Sequence, residues 1–513
     1  MAVLQWLREG FHQPLSLLFP FILFLVLIKL LLQQHNSRKH RSNHLPPCPP
    51  AIPVIGNLHQ LGTMPHLSLQ RLAAKYGPII FLQLGQIPTI VVSSARLAKE
   101  VMKTHDLALA SRPQLFAAKH LFYNCTDVVF SPYGPYWRNI RKICILELLS
   151  AKRVDTYRSV REQEVARLVS RISESAGTVV DLTKFLGLYA NDILCRTVFG
   201  REFSEGGDYN RHGFQEMLDE YQVLLGGFNI GEFFPSLEFM HSLTGVKSRL
   251  KDTFRRFDQL FDQILKEHAC SKEIEEDHKD LVDVLLEVQR NDSDEMPLTT
   301  DNIKAIILDM FAAGTDTTFI TLDWAMTELM MNPMAMEKAQ NEVRGVLGER
   351  RVVLESDLHN LQYMKAIIKE IFRFHSPVPV LVPRESMEDV TIDGYKIPAK
   401  TRVYVNAWAI GRDNESWEDA ETFKPERFLG RDMNIDFKGQ DFELIPFGAG
   451  RRGCPAITFA IAVIELALAQ LLHSFDWKLP LGISTKDLDL TEVFGISMHR
   501  RDHLYVVAKP HFP

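Results

Sequence analysis

The stretch PFGAGRRGCPA, Pro446–Ala456, offers two kinds of chemistry at once. Gly448, Gly450 and Gly453 spell G-x-G-x-x-G, the spacing that wraps a dinucleotide pyrophosphate, and Asp476 follows where that motif places its acidic residue. The residue after the third glycine is Cys454. It stands just before an apolar helical pattern and beside glycines whose amides can point at sulfur, a setting that favours a thiolate able to hold a metal. Context separates the two readings. A dinucleotide fold needs several β-α units after its fingerprint. Here only 454–513 remains, with one apolar helix, ITFAIAVIELALAQLLHSF; Pro455 sits where that helix begins, and Arg451 and Arg452 crowd the loop. The cysteine is therefore the reactive element of the loop.

Five further groupings could do chemistry. AAGTDTT, Ala312–Thr318, lies inside a helical pattern running from about Asp301 to Met331. A glycine inside a helix costs about 1 kcal/mol, so Gly314 marks either close helix packing or a distorted turn that opens a groove, with Asp316 and Thr317 beside it as proton carriers. EIFR places Glu370 and Arg373 at i,i+3 on one helix face, where they can pair. PERF supplies Arg427. YWRNIRK sets Trp137 and Arg141 one helical turn apart, and VPRES supplies Arg384.

Phe447, Gly450, Arg452 and Cys454 match the cysteine-loop signature of the cytochrome P450 family, and the other groupings follow in that family's order. From about Leu45 to the C-terminus the chain resembles this family, most of all its microsomal plant members. The resemblance implies haem b, with Cys454 as axial iron ligand; a thiolate in that position favours O–O cleavage. It implies that Trp137, Arg141, Arg384 and Arg452 reach the haem propionates, that Phe447 and Gly450 shape the loop, and that Gly314, Asp316 and Thr317 serve oxygen and proton delivery. It makes Glu370, Arg373 and Arg427 structural supports. Two positions depart from the pattern: Ala456 and Cys48 stand where the family usually has glycine. One added methyl at Ala456 predicts tighter helix packing near the haem and no loss of binding.

These residues need a large scaffold, and 513 residues supply one. Apolar strands such as IIFLQLG and TIVVSS alternate with many long helical patterns, and no later stretch reads as a domain linker. The expected fold is mainly α with small β-sheets. Before it, Leu15–Leu32 is apolar apart from Ser16 and Lys29 and would span about 27 Å as a helix, close to a bilayer core. No small-residue cleavage site follows it; Arg38, Lys39 and Arg41 do, which keeps the body cytosolic. The expected organisation is a signal-anchor helix over 1–34, a basic and proline-rich hinge over 35–60, and a catalytic domain over 61–513 on the endoplasmic reticulum membrane. Asn124, Asn291 and Asn414 match the N-x-Ser/Thr acceptor pattern, and this topology leaves them unmodified.

A formal charge of −6 gives nucleic acid no electrostatic hold. Six scattered cysteines with no C-x-x-C pair form neither a disulfide framework nor a zinc ribbon. The resulting expectation is a monooxygenase that inserts one atom of O2 into a small hydrophobic plant metabolite. No flavin or nicotinamide motif survives inspection, so the resemblance implies electrons from an NADPH-cytochrome P450 reductase, with Arg138, Lys142, Lys152 and Arg153 as a basic docking face. A haem-thiolate isomerase or dehydratase stands behind this reading because such relatives tend to lose the acid–threonine pair. A haem sensor stands further behind, for want of an output module. The resemblance implies that the segments RPQLFAAKHLF, GGFNIGEFFP, VPVLV and VFGIS, with Ala312 and Ala313, line the pocket.

Overall fold

Residues 44–201, 211–227, 229–270, 279–291, 296–430 and 434–512 are described by a computed structural model. The helices of more than two turns are α1 (Pro65–Tyr76), α2 (Pro135–Ile143), α3 (Arg158–Glu174), α4 (Leu182–Phe199), α5 (Arg211–Gly226) and α6 (Val246–Ala269). They continue with α7 (Leu281–Asn291), α8 (Thr300–Met331), α9 (Pro333–Leu347), α10 (Gln362–Phe374) and α11 (Ile457–Ser474). The strands are β1 (Ile79–Leu84), β2 (Ile87–Val92), β3 (Val179–Asp181), β4 (Arg384–Glu385), β5 (Val390–Ile392), β6 (Tyr395–Ile397), β7 (Arg402–Val405), β8 (Phe475–Lys478), β9 (Glu492–Phe494), β10 (Met498–Arg500) and β11 (Tyr505–Pro510).

Helix α8 is the axis of the packing. Thr299 caps it: its hydroxyl accepts the Asn302 N–H at 3.2 Å, while the Asn302 side chain accepts the Thr299 N–H at 3.0 Å. From there the helix is buried on nearly every face, against α4 on one side and α10 and α11 on others. That burial explains its all-round apolar sequence. Within the described residues, α8 and α11 are long and apolar enough to cross a membrane, yet 67% and 61% of their apolar windows are buried inside the fold. They are core helices. The anchor expected over 1–34 lies outside the described residues.

The largest sheet has the order β1-β2-β7-β4. β1 and β2 form a hairpin with Ile79 opposite Val92, β7 runs parallel to β2 with Arg402 opposite Thr89, and β4 closes the edge with Arg384 opposite Val403. Small sheets β3-β11-β8, β10-β9 and β5-β6 complete a mainly helical fold. Of the hinge expected over 35–60, residues 44–60 are described. The Pro47 carbonyl accepts the Phe81 N–H of β1 at 2.9 Å, and the His44 carbonyl accepts Lys396 N–H of β6 at 2.9 Å. Asn57 Nδ2 donates to the Pro49 carbonyl at 3.2 Å. Prolines donate nothing, but their carbonyls still accept, so 44–60 is docked on the sheets and is no free spacer.

Candidate active site

The cysteine loop is shaped by its glycines. Gly450 has φ +67°, and a Cβ there would lie 2.2 Å from the Met102 carbonyl oxygen. Cys454 N–H donates to the Phe447 carbonyl at 2.9 Å and Gly453 N–H to the Gly450 carbonyl at 3.0 Å. The Arg451 N–H goes to Asp106 Oδ2 at 3.1 Å. These amides are spent inside the protein and no strand leads into the loop, so nothing here cradles a pyrophosphate. Cys454 Sγ opens onto an internal cavity and accepts the Ala456 N–H at 3.4 Å, at the entry to α11. Burial pushes the thiol up; the Ala456 N–H and Arg141 pull it down only in part. A thiolate at this position needs one more positive partner, as a metal ligand has.

The cavity, about 1980 Å³ of empty space with its mouth included, is bordered by Arg112, Arg141, Arg384 and Arg452. Arg452 donates to the carbonyls of Ala110 at 2.7 Å and Ser131 at 2.6 Å, and Arg112 to those of Val129 at 3.0 Å and Val382 at 2.6 Å. Arg141 donates to the Gly453 carbonyl. Arg384 holds the Ala449 carbonyl at 2.8 Å and Asp106 Oδ1 at 3.0 Å. Burial, and then the neighbouring Arg384, push Arg452 down to about 9; burial and the charges of Arg452 and Arg384 push Arg112 down too. A buried group of arginines that depress one another, resting mainly on neutral carbonyls, is short of anions. The residues therefore fit haem b: a thiol for the iron, arginines for two propionates, and apolar walls such as Phe130, Leu381 and Phe447 for the ring.

Trp137 stands behind this group. Its ring lies 4.0 Å from the Arg452 guanidinium, its Nε1 donates to the Val128 carbonyl at 3.0 Å, and it does not border the cavity. Arg112 was missed as a cation of the site; in the sequence it reads only as the start of an apolar loop. Apart from Arg112, that loop and the described residues of GGFNIGEFFP also need correction as pocket lining. Glu232 accepts the Phe116 N–H, and the rings of Phe116 and His241 lie 3.9 Å apart, so the two segments pack on each other instead of facing the cavity. Val378, Leu381, Val382, Ile496, Ala312 and Ala313 do line it.

Helix α8 supplies another wall. It runs unbroken through Gly314, where a Cβ would meet Leu194 Cδ1 of α4 at 2.9 Å. The geometry answers to close packing. Thr317 Oγ1 donates to the Ala313 carbonyl at 2.8 Å. Asp316 Oδ2 accepts Gln222 Nε2 of α5 at 2.9 Å and the Ser497 hydroxyl from the β9–β10 turn. Burial pushes the Asp316 carboxyl up, against the pull of Ser497 and His499.

Behind the cysteine loop, Glu370, Arg373 and Arg427 meet in the core. Arg373 Nε and Nη2 each reach a Glu370 carboxylate oxygen at 2.7 Å, and Arg427 Nε lies 3.1 Å from Glu370 Oε2. Their side chains are at most 4% exposed, so this is a buried network and not a surface pair. Phe372, on the same helix α10, packs edge-on against Phe447 at 5.1 Å between ring centres. The network thereby carries its rigidity into the loop.

The likenesses agree with this geometry. The cytochrome P450 family model matches residues 46–506. Cytochrome P450 71AP13 of Prunus mume is 72% identical over 100% of this chain and 98% of its own length. A phenylacetaldehyde oxime monooxygenase of the same species is 46% identical over 98% of this chain and 95% of its own. A solved zebra fish cytochrome P450 in complex with abiraterone is 27% identical with a TM-score of 0.74, over 87% of this chain and 100% of that one. With a thiol and an arginine cradle on one side of the cavity and an acid–threonine helix on another, a chain so matched belongs to the cytochrome P450 family.

Proposed function

We propose that this P450-type monooxygenase uses Cys454 as the haem ligand and oxygenates a small hydrophobic plant metabolite, the second oxygen atom leaving as water with two electrons and two protons consumed. The observation that carries the reading is the shared cavity: Cys454, the arginines, Ala312, Ala313, Gly314, Asp316 and Thr317 all border it. When bound, haem supplies the redox and oxygen chemistry. The protein's own part is fourfold. Cys454 presents sulfur at the head of α11, steadied by the Ala456 N–H. Arg112, Arg141, Arg384 and Arg452 orient the propionates, with Trp137 stacked behind and Gly450 allowing the loop its close approach. Apolar side chains exclude water and accept an apolar substrate. Thr317 Oγ1, fixed on the Ala313 carbonyl, and Asp316, whose carboxyl is pushed up by burial, move protons between the interior and the reacting oxygen, with Gly314 keeping α8 tight against α4.

Electrons come from an NADPH-cytochrome P450 reductase on the endoplasmic reticulum membrane, to which the segment 15–32 anchors the chain. Replacing Cys454 with serine tests the assignment: the reduced carbon monoxide complex should lose the red-shifted band of a thiolate-ligated haem. An unchanged spectrum refutes it. Spectral titration of the loaded protein with oximes, terpenoids and phenylpropanoids then selects the substrate class.

A further inference from the structure

Helix α8 carries one more acid on the cavity wall, Asp309, which the function above leaves unused. Against it lies Asp127, at the head of the loop 127–131. Asp127 is 0% exposed and Asp309 5%. Asp309 Oδ2 accepts the N–H of Val128 at 2.7 Å and of Val129 at 3.3 Å, and Asp127 Oδ2 accepts the Phe130 N–H at 2.7 Å. Asp309 thus sits on the two amides that follow Asp127, and Asp127 Oδ1, fully buried, has no hydrogen-bond partner among the described residues. Two carboxylates held this close inside the protein cannot both stay ionised, so one of them keeps a proton.

We propose that Asp127 and Asp309 share a single proton and act as a positioning pair, pinning loop 127–131 to α8 so that its carbonyls hold the haem-binding arginines. The loop is suited to that task. Its carbonyls at Val128, Val129 and Ser131 receive Trp137, Arg112 and Arg452 respectively. The positioning role rests on the haem assignment; the shared proton does not.

Burial pushes both acids up. Asp127 feels the charges of Arg452 and Arg112, whereas Asp309 feels chiefly Asp127. The other titratable groups that feel the pair are Cys125, Tyr136, Cys144 and Tyr221, all pushed up and neutral. The folded chain thus keeps a proton that an unfolded aspartate gives up near pH 4. Stability attributable to the pair is complete below that pH. It falls by about tenfold in the folding equilibrium per pH unit above it, until the proton leaves the folded state.

The test uses the full haem-loaded chain and two substitutions. Asp309→Asn replaces the shared proton by an amide N–H and cannot titrate. Asp309→Leu removes the second carboxyl and its hold on the Val128 and Val129 N–H groups, and leaves Asp127 buried without it. The infrared spectrum of wild type minus Asp309→Asn should show the carbonyl band of a protonated carboxylic acid, displaced by 13C-labelled aspartate. The stability ratio of wild type to Asp309→Asn should fall with rising pH. Transfer of haem to an apoglobin scavenger should match wild type in Asp309→Asn and be at least about tenfold faster in Asp309→Leu. Absence of the band, or a stability ratio flat in pH, overturns the shared proton. Wild-type haem retention in Asp309→Leu overturns the positioning role. Failure of the wild type to bind haem at all would instead sink the haem assignment, while the band and the pH slope still decide the proton.

Discussion

Substituting Arg373 and Arg427 in turn by methionine, which keeps much of the volume, should show that two arginines of one network are worth different amounts. Arg373 makes two bonds of 2.7 Å to Glu370 and also donates to the carbonyls of Gly411 at 2.6 Å, Ala420 at 2.7 Å and Thr422 at 3.1 Å. Without it, a carboxylate with 0% exposure keeps only the Lys424 N–H at 2.7 Å and the more distant Arg427. That is a broken buried ion pair, costing about 3–5 kcal/mol, and the stranded carbonyls place it at the upper end. Arg427 holds Glu370 at 3.1 Å and the carbonyls of Glu418 at 2.7 Å, Asp419 at 3.3 Å and Thr422 at 3.2 Å. Its loss leaves Glu370 still gripped by Arg373, so about 2–3 kcal/mol is expected, the size of one or two hydrogen bonds to charged groups. Urea titration of the detergent-solubilised chain, followed by tryptophan fluorescence and haem absorbance together, measures both. The midpoint should fall further for Arg373→Met with the slope unchanged. Haem content per chain should fall in the same order, because α10 also carries Phe372 against Phe447. Equal losses, or losses below about 1 kcal/mol as for a surface pair, would refute the claim that this network braces the loop.

Gly450→Ala should yield folded chain without haem: the added carbon meets the Met102 carbonyl oxygen at 2.2 Å and the φ of +67° is unfavourable besides, so gel filtration should show protein absorbance with no haem band. Thr317→Ala should keep haem but release more hydrogen peroxide and less product per NADPH, whereas Thr317→Ser, which keeps the donor to Ala313, should restore the ratio; an unchanged ratio in the alanine variant removes Thr317 from proton delivery. Asn124, Asn291 and Asn414 are all exposed, so burial would not protect them from a glycosyltransferase. Expression in a eukaryotic host should give one band, unaltered by glycosidase, and a shift would place the catalytic body in the lumen and refute the proposed topology.

Local patterns in the sequence were enough to single out the cysteine loop. Cys454, its glycines, Pro455 and the two crowding arginines together spoke against a dinucleotide fold, and the structure spends the loop's amides as that reading requires. The i,i+3 spacing of Glu370 and Arg373 likewise announced a pair, because helical geometry alone brings such residues together. What spacing could not say was depth. A surface pair and a pair with 0% exposure have the same sequence, and only the packing of α10 against the turn at Pro425–Leu429 buries it. Arg112 shows the same limit from the other side: nothing beside it signals a cation site, and it becomes one because segments distant in the chain converge on the cavity. The loops 112–122 and 226–235 were expected at the pocket by resemblance, but apart from Arg112 their described residues bury against each other, as apolar residues do equally well. Asp127 and Asp309 are far apart in the chain and carry no motif that links them. Periodicity pointed to a mainly helical fold, and the loop motif with its resemblance pointed to Cys454, because those follow from local patterns; the long-range closure of the core determined which charges share a low-dielectric interior, and therefore which acids must share a proton.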